Sequence, residues 1–194
     1  WAAEAPPGFR FCFKFPRSVS HERQLVDAGR DTEAFLRLMA LLPDRLGPLL
    51  LQLGPGFGPA QLDHLDRFLA TLPGAFRYAV EVRHPALYDG AGAERAFDQL
   101  LLAHGASRCN FDTMHVFEGA PADASTEQAQ ARKPRLPRRA VVAGGAAFVR
   151  FVGGNAVELA REALDFWVER VGAWLGEGRE VYFFTHTPDD AHAP

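Results

Sequence analysis

Cysteine is nearly absent from this chain: two residues, Cys12 and Cys109, in 194. Each sits inside an apolar stretch. That excludes a disulfide framework and a zinc site of the Cys-x-x-Cys kind, and it points to a reducing compartment. No apolar run approaches the roughly 18 residues that a membrane helix needs, and no secretory leader is legible at the start. The expectation is a cytoplasmic protein with no membrane partner. A dominant charge of one sign is missing as well. Lys and Arg total 21 against 24 Asp and Glu, giving a net charge of -3 and a pI near 6.2. Bulk electrostatics therefore make no case for nucleic acid or an anionic lipid surface. The chain also lacks an internal repeat, a Gly-x-Gly-x-x-Gly order and a His-Glu-x-x-His motif, so no cofactor is specified.

What is present is an ordinary globular composition, 47% apolar and 23% charged, in a length that suits a single domain over residues 1–194. Six short runs read as strands: Phe9 to Lys14, Pro48 to Leu53, Arg77 to Arg83, Ser107 to Asp112, Phe148 to Val152 and Glu180 to Thr185. Several are almost continuously apolar, as in strands covered on both faces. Helical periodicity falls between them: Asp31 through Leu42, Pro59 to about Leu72, Glu94 to His104, and Glu158 to Leu175 with Leu164, Trp167, Val168, Val171 and Leu175 inward. Trp167 and Trp174, seven apart, read as core. Alternation of strand and helix predicts an α/β fold with a parallel sheet. Residues 118–147, rich in Ala, Gly, Pro and Gln, read as a long surface loop.

A second pattern overlies the first. The apolar strands turn polar towards their C-terminal ends, at Lys14, Gln52, Glu81 with Arg83, Asn110 with Asp112, Arg150, and Thr185 with His186. Glu81 and Arg83 lie two apart on a strand and share a face, with His84 just beyond. Sites in parallel α/β folds and barrels form at the carboxyl ends of strands. The placement predicts a barrel mouth with positive character, suited to a small phosphate or carboxylate ligand. Glu81, Asp112 and His84 are the candidate catalytic acid/base residues. Lys14, Gln52, Arg83, Arg150 and His186 are the candidate ligand contacts.

Two other readings stand beside this one. Asp112, His84, His115 and His186 could assemble a metal site for a hydrolase, lyase or isomerase. The basic run Arg132 to Arg139 could contact nucleic acid or a protein, although no aromatic residue interleaves with it. The glycine-rich stretch GPGFGP (Gly54 to Pro59) lacks the ending of a phosphate loop and reads as a turn into a helix.

Taken together, the stretches PPGFRFCFKFP, LGPLLLQLGPGF, YAVEVRHPALYD, the strand ending in Asp112, and FVRFVGGN resemble the family called domain of unknown function 72, also UPF0759 or YecE-like. The matches run in family order across nearly the whole chain. The resemblance implies a TIM-barrel-like parallel (β/α) barrel of eight strands, of which this chain, opening at Trp1, carries the third to the eighth. It implies no reaction, since the family has none established. Two departures stand out: Gly54-Pro55 replaces a Pro-Pro pair, and the final strand ends THTPDD (Thr185 to Asp190) where many members have two asparagines.

Overall fold

A computed structural model of the chain describes residues 4–156, 160–189 and 191. Trp1, the start of the last helix at Glu158 and Asp190 lie outside the described residues. Five strands, β1 (Leu49–Gln52), β2 (Tyr78–Glu81), β3 (Ser107–Asp112), β4 (Ala147–Val152) and β5 (Val181–His186), form one sheet in chain order. Every pairing is parallel. The helices are α1 (Gly29–Met39), α2 (Leu62–Thr71), α3 (Gly92–Ala103), α4 (Ala124–Arg132) and α5 (Arg161–Gly176). The result is a curled, TIM-barrel-like α/β arc, an incomplete barrel.

The first expected strand, Phe9 to Lys14, is not a regular ladder strand. It runs parallel to the β1 edge and touches it at two bridges, Phe11 with Leu46 and Lys14 with Leu50. Between them three residue steps face four, so the longer side bulges around Gly47-Pro48. Proline cannot donate to a ladder, which accounts for the interruption there. The segment is still held by Phe11 N–H to Arg45 O (2.7 Å), Leu50 N–H to Phe13 O (2.8 Å) and Phe15 N–H to Leu50 O (2.9 Å).

Strand alternation sorts the side chains. The inner face of the arc carries Leu50, Ala79, Cys109 and Phe148, packed with Cys12, Tyr182 and Phe184. The outer face meets the helices in two clusters. The larger joins Leu49, Leu51 and Val80 to Phe35, Leu65, Phe68 and Phe97. The smaller joins Ala147, Val149 and Phe151 to Ala163, Trp167 and Trp174. The Trp pair is core, as its spacing indicated. Val168 and Leu175, expected inward, are exposed at 70% and 58%. One residue is about 100° of helix, so with the bulky Trp167 fixed against Phe183, Val168 falls outside.

The segment expected as a loop contains α4. Its sequence, ASTEQAQAR, has no apolar stripe to betray it, but Asp123 caps it by accepting from Thr126 N–H at 2.7 Å. Beyond α4 the chain is pinned by Asn110, whose side chain donates to Val141 O (2.9 Å) and accepts from Val141 N–H (3.0 Å).

Candidate functional site

The mouth of the arc is built by parity and register. Gln52 and Glu81 are level across β1 and β2, and Arg150 is level with Phe111 and Phe184 across β3, β4 and β5. All five face inward, as does Lys14 at the end of the first extended segment.

Glu81 lies at the centre with no exposed surface. Its carboxylate accepts from Arg83 Nε at 2.7 Å and from Arg150 Nη1 at 2.6 Å, and the Cys109 thiol donates to it at 3.7 Å. Burial alone would raise this carboxyl. The Arg150 and Arg83 guanidiniums overcome that, and its pKa lies below the ordinary value. Glu81 is thus an ionised counter-charge that fixes two arginines. Arg150 is in turn raised, burial being outweighed by Glu81. The neighbouring Cys109 thiol is pushed well up, first by burial and then by Glu81, so it is an inert filler.

Arg150 has every edge engaged. Nη1 also donates to Gln52 Oε1 (3.1 Å), while Nε and Nη2 approach His186 Nε2 at 3.3 and 3.2 Å. Since a guanidinium only donates, Nε2 carries a lone pair here. Arg83 uses only its Nε in this network. Both guanidiniums lie over Phe111, with Arg83 Cζ 4.6 Å and Arg150 Cζ 5.6 Å from the ring centre. A cavity of about 180 Å³ opens beside them, lined by Cys12, Lys14, Leu50, Phe148, Arg150, Phe184 and His186. Lys14 is exposed, and no ion pair among the described residues involves it.

Lys14, Gln52, Glu81, Arg83, Arg150 and His186 therefore come together as expected. Asp112 does not. Its parity places it on the outer face of β3, 1% exposed, where Oδ2 accepts from Arg138 Nε (2.7 Å) and Trp167 Nε1 (2.8 Å) and Oδ1 from Met114 N–H (3.0 Å). It clamps α5 and the post-α4 segment to the sheet. His84 caps the short turn Pro85–Tyr88, with Nδ1 accepting from Ala86 N–H at 3.1 Å. A Cβ at Gly58 would stand 3.0 Å from the His84 ring, so a side chain there would need the ring to give by a few tenths of an ångström. Among the described residues no three His, Cys, Asp or Glu side chains converge as metal ligands would.

The end of the basic run is tied into the protein. Arg138 pairs with Asp112, Arg139 donates to Glu94 (2.7 Å) and Tyr88 O (2.8 Å), and Leu136 is buried. Two mouth residues escape sequence reasoning. Phe111 carries no polar signal, and only its inward parity with Cys109 could have revealed it. His21 lies in a tight π-helical turn, Ser18–Glu22, after the first extended segment. No periodicity marks it.

Comparison with known proteins settles the lineage. The family model described as "Protein of unknown function DUF72" matches residues 1–194. The chain belongs to the DUF72 family. It is 36% identical to the UPF0759 protein YecE of Escherichia coli K12 over 194 residues, covering all of this chain and 71% of that one. Among solved structures it resembles a DUF72 protein of Enterococcus faecalis V583 (TM-score 0.74, 21% identity, all of this chain and 77% of that one). It also resembles one of Thermotoga maritima MSB8 (TM-score 0.65, 23% identity, 95% and 69%). These likenesses support the TIM-barrel-like arc. No helix among the described residues is long and apolar enough to cross a membrane.

Proposed function

We propose that the barrel mouth binds a small anionic ligand, a phosphate or a carboxylate, and performs acid/base chemistry on it. The observation that carries this reading is a charge imbalance. Lys14, Arg83 and Arg150 share the mouth with one carboxylate, Glu81, and that carboxylate is already committed to both arginines. The remaining positive charge sits at the C-terminal ends of parallel strands, where ligands of such folds bind. Lys14 and the outer edge of Arg83 are the donors open to an anion. Arg150 contributes charge and holds Gln52 and His186 in place. Glu81 serves as a fixed counter-charge, and proton transfer falls to the imidazoles of the mouth. A hydrolase, lyase or isomerase acting on a phosphorylated or carboxylated metabolite shares this requirement. The nucleic-acid reading draws no comparable support, because Arg138 and Arg139 are engaged internally.

The test is a thermal-shift screen of phosphorylated and carboxylated metabolites, with calorimetry on each compound that raises Tm. Lys14→Ala is expected to weaken binding roughly tenfold, about 1.4 kcal/mol, without lowering Tm of the free protein. Binding that survives both Lys14→Ala and Arg83→Ala unchanged would remove the site from the mouth.

A further inference from the structure

His21 is the one mouth residue that neither charge pairing nor strand position explains. Its ring is held from one side only. The Ser20 hydroxyl, buried, reaches Pro16 O at 3.3 Å, which leaves its oxygen to accept from His21 Nδ1–H at 2.8 Å. That bond is equally good for a neutral or a protonated ring, so Nε2 is the position that titrates. The Cδ2–Nε2 edge lies over Gly54, where a Cβ would stand 3.5 Å from Cδ2 and 3.8 Å from Nε2. Gly54 follows Gln52 and Leu53 off the end of β1, and the ring lies close enough to the mouth for Arg83, Lys14 and Glu81 to act on it. The π-helical turn that presents the ring is a rare conformation often found at functional sites.

We propose that His21 completes the anion site as a proton-coupled contact: the ring is neutral while the mouth is empty and takes up a proton at Nε2 when an anion binds. This rests on the anion-binding reading above. The charges that act on the ring are Arg17, Arg83 and Lys14, with Glu81 opposing them; Arg17 also pairs with Glu22 at 3.7 Å. Burial, then Arg17, Arg83 and Lys14, hold the free imidazole below its ordinary value. A bound anion offsets the last two, adds an acceptor for Nε2–H, and raises the pKa. The sign follows from linkage. Between the free and bound values a fraction of a proton enters with each anion, so affinity rises as pH falls through that window and is flat on either side.

Sulfate is the probe, because its own charge does not change near neutrality. Its affinity is measured by calorimetry from about pH 5.5 to about pH 8 at fixed ionic strength, in buffers of different ionisation heat, while the His21 ring is followed by NMR. The expected result is a roughly tenfold tightening towards low pH, about half a proton taken up at the midpoint of the window, and an upward shift of the His21 titration by about one unit on saturation. His21→Asn is expected to give a pH-independent affinity, and the wild-type NMR titration decides the matter should that variant fail to fold. Sulfate binding that is pH-independent, with an unmoved His21 titration, overturns the coupling but keeps the anion site. No saturable binding at any pH overturns both.

Discussion

The two ends of the arc use the same strands and the same kind of ion pair, yet they are wired differently. At the base, Arg77, just before β2, reaches Glu180, just before β5, and donates to the Tyr182 hydroxyl at 2.8 Å. That hydroxyl in turn donates to Glu180. Each charge of this triad has its partner, and the pair is about half exposed, 48% on both sides. At the mouth the carboxylate is fully buried and shared by two arginines, with Lys14 beside them. A balanced, wet pair fastens the sheet. An unbalanced, dry one leaves charge directed at whatever enters. The difference lies in the balance and burial of the charges.

The largest effect should come from breaking the mouth. Glu81→Gln leaves Arg150 and Arg83, 12% and 17% exposed, without their counter-charge. Losing one partner of a buried pair costs about 3–5 kcal/mol, to be read by urea denaturation. The pH dependence gives a second handle. The folded Glu81 pKa lies below 4.5, so its contribution is intact above that value and is lost as pH falls below it towards the folded pKa. Glu81→Gln should flatten that part of the acid limb. A variant as stable as the parent at pH 7 would make the mouth as loosely wired as the base.

Next in size is Asp112, which tests whether the outer face of the strand ends is separate from the mouth. Asp112→Ala removes the acceptor of Trp167 Nε1 and Arg138 Nε. Leaving buried donors unpaired costs about 1–3 kcal/mol. Anion affinity, measured by calorimetry, should stay the same. A variant that lost affinity while keeping its fold would return Asp112 to the site.

This residue also shows where sequence reading stops. The α/β alternation, the parallel sheet and the clustering of six of the eight candidate residues at the strand ends were legible, because burial on both faces leaves apolar runs and polar residues at strand ends stand out against them. Parity within a strand was not. Asp112 and Phe111 are neighbours, and which one faces inward depends on register with β4, a long-range property. Hence Asp112 was expected in the mouth, and the inward place belongs instead to its neighbour Phe111. α4 escaped because a helix packed through small residues has no stripe, and the first strand lost its ladder to a proline in its partner, Pro48.

The smallest effect belongs to the base, and it is the sharper half of the comparison because it predicts near-silence. Arg77→Ala opens the ion pair with Glu180 and removes a cation 5.7 Å from the Tyr182 ring centre. Exposed pairs are worth about 0–1 kcal/mol, so the denaturation midpoint should move only slightly. Glu180 is lowered from its ordinary value, burial being outweighed by its bonds to Arg77 and Tyr182. Any loss should therefore be full above about pH 4.5 and fade as pH falls below that towards the folded pKa. Anion affinity should be unaffected, since Arg77 lies at the opposite end of β2 from Glu81. A destabilisation matching that of Glu81→Gln would mean that burial is a poor guide to how these charges act. The distinction between a fastening end and a binding end would then have to rest on ligand data alone.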